Sequence, residues 1–133
     1  MLLMDTVPGI AITKAEHHPK GWGEEIWIIN TDKYCGKLLK FNKGAVFSDH
    51  YHIVKDEAWY VIEGSFELRH YNLANADRIS TTLRVGDVVR ITPATPHQLI
   101  ALEQGTIIEV STTHDEADSY RIGKGDSQNQ KKL

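Results

Sequence analysis

GAVFSDHYHIVKDEAWYVIEG, running from Gly44 to Gly64, holds two histidines one residue apart and a glutamate five residues further on. Side chains alternate across an extended strand, so His50 and His52 point to one face. Glu57 has the opposite parity, and a turn or bulge within residues 53–56 is needed to bring it to their side. Two imidazoles and a carboxylate converging on one point make a ligand set for a divalent ion. His97 is the candidate fourth ligand. The spacing has a frame of glycines: Gly44, five residues, His50, one, His52, four, Glu57, six, Gly64. A looser run, GDVVRITPATPH, follows from Gly86 to His97.

Taken together, the two runs resemble the paired motifs of the cupin superfamily, with the resemblance covering roughly residues 22–113. It implies an all-β protein: a single jelly-roll β-barrel with an N-terminal arm or edge strand over 1–21 and a C-terminal extension with a polar tail over 114–133. It also implies one divalent ion (Mn, Zn, Fe or Ni) on His50, His52, Glu57 and His97. The second motif departs from the family pattern. Thr92 and Ala94 stand where it has proline and glycine, and Ala101 where it often has asparagine.

The flanking strands add a narrower likeness. WGEEIWIIN and the run from Tyr34 to Gly64 resemble the cupin domain of type II mannose-6-phosphate isomerases, and ITPATPHQLIALEQGTIIEVSTTHDEADSYRI is similar to these and to D-lyxose isomerases. This implies a metal-dependent aldose–ketose isomerase acting on a small sugar or sugar phosphate. Glu109 and Lys55 are then the candidate proton-transfer groups, and Trp59, Lys37, Arg69 and Arg121 the candidate substrate contacts. Burial that raises the pKa of Glu109 toward neutrality would suit it as a base. Two other readings use the same ligands: a non-catalytic cupin that binds or senses a small carbohydrate, and an Fe(II) dioxygenase. No glycine-rich phosphate loop is present.

A chain of 133 residues fits one domain with a real core. Its formal net charge of −3, from 15 basic and 18 acidic residues with no basic block, argues against charge-driven binding to nucleic acid or a membrane surface. Cys35 is the only cysteine, which rules out an intramolecular disulfide and suits a reducing cytosol. The opening MLLMDTVPGIAITKAEHH has too short an apolar run for a signal peptide, so the expected location is cytoplasmic. The partners expected are the sugar ligand and a second copy of the chain, with the N-terminal apolar segment covering an edge strand of the homodimer.

Eight or nine short strands are expected, at Glu25–Asn30, Tyr34–Asn42, the motif strand, Ala58–Ile62, Ser65–Tyr71, Ile79–Val85, Val88–Ile91, Gln98–Leu102 and Thr106–Val110. AWYVI, Ala58–Ile62, is apolar along its whole length, as in a strand covered on both faces. His17 and His18 read as a solvated pair, His70 as an outward residue, and DSQNQKKL at the end as a frayed tail.

Overall fold

Strand residues sort by parity. Along Cys35–Phe41 every second side chain is buried (Cys35, Lys37, Leu39 and Phe41), while Lys40 between them is exposed. Glu57, Trp59 and Val61 repeat the pattern, and so do Phe66 and Leu68. Two-residue periods of this kind build sheets with one inner face.

The computed structural model describes residues 3–129. Its strands are β1 (Leu3–Val7), β2 (Ile10–Thr13), β3 (Glu16–Lys20), β4 (Gly23–Asn30), β5 (Cys35–Phe41), β6 (Asp49–Tyr51) and β7 (Glu57–Glu63), followed by β8 (Phe66–Tyr71), β9 (Arg78–Leu83), β10 (Val88–Ile91), β11 (His97–Ala101), β12 (Gly105–Ser111) and β13 (Tyr120–Gly123). A 3-10 turn at Glu116–Asp118 and a one-turn helix α1 (Asp126–Asn129) complete the chain. Asp115 caps the 3-10 turn by accepting from Ala117 N.

A six-stranded sheet in the order β10-β7-β12-β5-β4-β3 packs on a five-stranded sheet in the order β13-β6-β11-β8-β9, and β1-β2 form a separate hairpin. All pairings are antiparallel. The result is a jelly roll. Among the described residues no helix is long and apolar enough to cross a membrane.

Between the sheets lies an apolar cluster that includes Trp22, Leu39, Phe41, Phe47, Trp59, Val61, Phe66, Leu99 and Ile107. Each of its large side chains contributes roughly 1.5–3 kcal/mol by leaving water. Register divides the inner face of the larger sheet along its length. Ile107 faces Leu39 and Val61 at the apolar end, and two residues further on Glu109 faces Lys37 and Trp59. One end of the sandwich is therefore a closed core and the other a polar site.

Two turns show why particular residues stand where they do. Gly64 has φ 78°, and a Cβ there would meet Gln104 O at 2.5 Å, so only glycine fits. Ala94 has φ 61° without being glycine, and it occupies the position at which the motif usually has one. Its N–H donates to His52 O, tying the loop before His97 to the strand of the other histidines. A left-handed alanine costs roughly 1–2 kcal/mol, partly offset because glycine loses more entropy on folding. Ala94→Gly is therefore expected to stabilise the protein by about 0.5–1 kcal/mol, read as a higher midpoint in urea with an unchanged slope.

Within 1–21, where an arm or edge strand is expected, the described residues hold three strands, and β3 is the edge of the larger sheet; Met1 and Leu2 lie outside the described residues. Of DSQNQKKL, read as a frayed tail, residues 130–133 lie outside the described residues, and the start of the stretch is tied to the barrel. Asp126 exchanges hydrogen bonds with Val46 in both directions, at 2.7 and 2.8 Å, and Ser127 Oγ accepts from Gly21 N at 3.0 Å. His70 does not point outward. It shares parity with Leu68, is half-buried, and bonds Thr81 Oγ1 at 3.0 Å. His17 is exposed beside Glu24, whereas His18 stacks on Trp27 at 4.0 Å.

Candidate metal centre

β6 and β11 run side by side, and their register pairs His50 directly with His97. His52 follows two residues after His50 on the same face. The ligand atoms of these three histidines lie within 4.8 Å of one another. Glu57 adjoins the group through His52, with Oε2 3.5 Å from His52 Nε2. Its parity is corrected by a loop, residues 52–56, and not by a bulge within one continuous strand.

That loop is held by a residue from the far end of the chain. Asp118 accepts from the backbone N–H groups of Ile53, Val54 and Lys55 at 2.8–3.2 Å, and its own carbonyl accepts from His52 Nδ1 at 2.8 Å. The three N–H donors hold the Asp118 carboxyl below its usual range, against a raising effect of burial. The segment after residue 113 thus helps to aim the site. Nothing local in the sequence signals this, because 63 residues or more separate the partners.

Each imidazole has its tautomer set. His50 Nδ1 lies 2.7 Å from Ser48 O, His52 Nδ1 2.8 Å from Asp118 O, and His97 Nδ1 2.9 Å from Thr95 O. A carbonyl only accepts, so Nδ1 carries the hydrogen in all three rings and Nε2 is left with its lone pair. Burial pushes all three below the ordinary histidine range, His97 down to about 4 and His50 well down, with His97 adding to the effect on His50. These rings are neutral at pH 7. His97 Nε2 and Glu57 Oε2 are both buried without a hydrogen-bond partner among the described residues. Three orientated lone pairs and an unsatisfied carboxylate oxygen fit a divalent cation, and carbonyl partners behind ligating histidines are the usual support for one.

A charged wall faces this cluster. Lys55 Nζ lies 2.8 Å from Glu109 Oε2 and 3.7 Å from Glu57 Oε2. Lys37 Nζ lies 3.0 Å from Glu25 Oε1 and 4.6 Å above the Trp27 ring. Lys55, Glu109, Lys37 and Glu57 are each at most 4% exposed. Burial raises the Glu57 pKa, with Glu109 adding to it and Lys55 opposing. For Glu109 burial acts in the same direction, but Lys55 and Lys37 outweigh it and the carboxyl is lowered. The condition that would suit Glu109 best as a base, a pKa raised by burial, is thus not met there; the raised carboxyl is Glu57. Lys55 stays a cation, because Glu109 and Glu57 more than offset its burial. Glu25 falls to about 2, where Lys37 and Lys20 overcome desolvation.

A cavity of about 120 Å³ is lined in part by His50, His52, Lys55, Glu57, Trp59 and Glu109, while His97 is not among its lining side chains. Trp59 meets His97 edge-on at 5.5 Å. Arg121 stands exposed at the mouth on β13, in register with His50. Of the candidate contacts, Lys37, Trp59 and Arg121 line the cavity. Arg69 does not: it pairs with Glu67 at 3.1 Å on the opposite face of β8 from Phe66 and Leu68. Glu25 and His114 also line the cavity and were not singled out from the sequence. Glu25 could have been, since it shares the parity of Trp27 and pairs across strands with Leu39.

Comparison with known proteins agrees with this architecture. A family model described as cupin domain matches residues 37–113. No curated protein sequence matches the chain. Oxalate decarboxylase from Bacillus subtilis at pH 4.6 superposes with a TM-score of 0.70 at 16% identity, over 81% of this chain and 30% of its own. A second structure of that enzyme, described for its Mn(II) centres, gives 0.69 at 16% identity over the same shares. The capsular polysaccharide assembling protein CapF from Staphylococcus aureus gives 0.70 at 18%, over 84% of this chain and 33% of its own. The chain spans about a third of the length of these proteins, and at such identity the likeness is one of fold.

Proposed function

This chain belongs to the cupin domain family, and on that premise we propose that it is a metal-dependent aldose–ketose isomerase of a small sugar or sugar phosphate. The observation that carries the proposal is the buried Lys55–Glu109 pair, 2.8 Å apart, on the wall opposite three neutral imidazoles. Moving a hydrogen between adjacent carbons of a sugar requires polarised oxygens on one side and proton-transfer groups on the other. Both stand around one small polar cavity.

His50, His52, His97 and Glu57 would hold the ion, which would supply Lewis-acid polarisation of the carbonyl and neighbouring hydroxyl oxygens. Glu109 takes the proton from one carbon and returns it to the next. Lys55 keeps Glu109 ionised and donates a hydrogen bond to oxygen as negative charge develops there. Lys37 and Glu25 neutralise one another and fix the wall behind them. Trp59 closes the inner end of the cavity against water, and Arg121 at the mouth is placed to meet a hydroxyl or anionic end of the substrate.

One observation favours a second reading, a metal-dependent carbohydrate binder without turnover. A carboxylate lowered by two lysines is a weak base. Proton exchange at C2, followed by NMR with metal-loaded protein across mannose, fructose, lyxose and their phosphates, separates the two. Exchange on at least one sugar is the expected result. Binding without exchange across the panel would leave the carbohydrate-binding module and end the isomerase reading.

A further inference from the structure

Only one face of the apolar run Ala58–Ile62 is covered. Trp59 and Val61 are buried, whereas Tyr60 and Ile62 are 45% and 41% exposed. On the covered side Trp59 is in register with Val89 of β10. β10 is the last strand of the larger sheet and β9 the last of the smaller one, and among the described residues no ladder joins them. A cleft of about 590 Å³ opens along this seam, within the roughly 300–1,000 Å³ typical of small-molecule sites. No described residue lines both this cleft and the metal cavity. Leu68 and Leu83 come to it from the smaller sheet and Val89 and Ile91 from the larger, and all but Val89 are buried. Its polar groups are few, and the charged ones are already engaged. His70 Nε2 is 3.0 Å from Thr81 Oγ1, while its Nδ1 has no hydrogen-bond partner among the described residues. The Thr92 and Thr95 hydroxyls bond each other at 3.0 Å. At the rim Arg90 pairs with Asp56 at 2.7 Å, and Asp87 accepts from Arg84 N at 2.8 Å.

We propose that this cleft is a second ligand site, for a small uncharged molecule with a compact apolar body and one hydroxyl or carbonyl group. The four aliphatic side chains take the body, since apolar surface leaving water is the main driving force for such binding. His70 Nδ1 takes the polar group, donating to a carbonyl or accepting from a hydroxyl according to its tautomer. A charged group would lose its hydration there without meeting an unpaired partner. Asp87 and Thr92 stand at the two ends of β10, where the chain turns away, so the cleft suits a compact molecule and not an extended peptide. His97 and Thr95 line it too. The occupant therefore touches a residue of the metal centre from outside the cavity at which Arg121 stands, and it lies beside Thr95, whose carbonyl orients the His97 ring. The site stands apart from the isomerase reading and does not depend on it.

Amide and methyl NMR of the isotope-labelled full chain, titrated with cyclohexanol, tests the proposal. For a probe of this size a dissociation constant of about 1 mM is expected. Saturable shifts should appear at Leu68, His70, Leu83, Val89 and Ile91 and not at Lys55 or Glu109 of the metal cavity. Cyclohexanecarboxylate and cyclohexylammonium should bind more weakly, by about 10-fold. Thr81→Trp fills the cleft from an exposed position on β9 and is expected to abolish the shifts. If that variant loses the dispersed amide spectrum of the fold, Thr92→Trp fills the cleft from its exposed rim. Four results would each overturn the assignment: no saturable shift at about 10-fold above the expected constant, shifts centred on the metal cavity, either charged probe binding as tightly as cyclohexanol or more so, or undiminished binding by a folded tryptophan variant.

Discussion

Replacing His97 with alanine will empty the metal centre. His97 is 1% exposed, its Nε2 has no hydrogen-bond partner among the described residues, and it is the proposed ligand that joins the two histidines of the β6 region to β11. Losing even a supporting residue behind a ligand typically costs 10–100-fold in metal affinity, so loss of the ligand itself should exceed about 100-fold. Elemental analysis after dialysis is expected to give no bound ion where the unmodified protein retains one. An undiminished metal content would remove His97 from the ligand set.

The same variant has a pH signature that metal loss alone does not produce. In the metal-free protein His97 titrates near 4, down from an ordinary 6.5. Between those values the unfolded chain binds a proton that the folded chain refuses, so stability falls as pH falls through that window. The full span is worth about 3 kcal/mol for this one ring. His50 and His52 act in the same direction, and Glu57, with its raised pKa, acts in the opposite one. Urea unfolding of metal-free protein at pH 7 and pH 4.5 should therefore show a smaller loss of stability for His97→Ala than for the unmodified chain. Equal losses would mean that the ring is not held neutral by burial.

How much of this could be read beforehand depended on range. Parity along single strands groups Lys37 with Leu39, Glu57 with Trp59 and Glu109 with Ile107, because a two-residue period is a local property, whereas which of the two faces is the inner one, as for Glu109, depends on the sheet packed against it. The glycine-framed spacing of His50, His52 and Glu57 was legible for the same reason. Arg69 and His70 show the limit. Parity put Arg69 with Glu67, away from Phe66 and Leu68, and that alone should have removed it from the substrate contacts; His70 shared the inward parity of Leu68 and was misplaced only because it is polar. The signs of the carboxyl shifts could not be read at all. They follow from which lysine reaches which glutamate, and Lys55 reaches Glu109 across 54 residues of sequence. Asp118 escaped for the same reason, since its partners are backbone N–H groups that no side-chain pattern announces.

Exchanging Glu109 for glutamine should leave the ion in place and remove most of the turnover. Glu109 belongs to β12 and touches none of the three imidazoles through a direct hydrogen bond, so metal content is expected to be unchanged. Gln keeps the shape and can still accept from Lys55, whose ammonium retains Glu57 at 3.7 Å as a second partner. The fold therefore has no new unpaired charge to accommodate. What disappears is a base, and removing one typically costs roughly 10²–10⁴ in rate. C2 proton exchange on the preferred sugar should fall by that factor, with the loss in kcat and little change in KM. A purely structural role for Glu109 predicts the reverse pattern, with a lowered unfolding midpoint and a rate per folded, metal-loaded molecule that stays the same. If exchange persists at full rate in fully metallated Glu109→Gln protein, the proton is carried by another group. Glu57 is the carboxyl that burial has already raised, and Glu57→Gln would then be expected to abolish exchange and metal binding together.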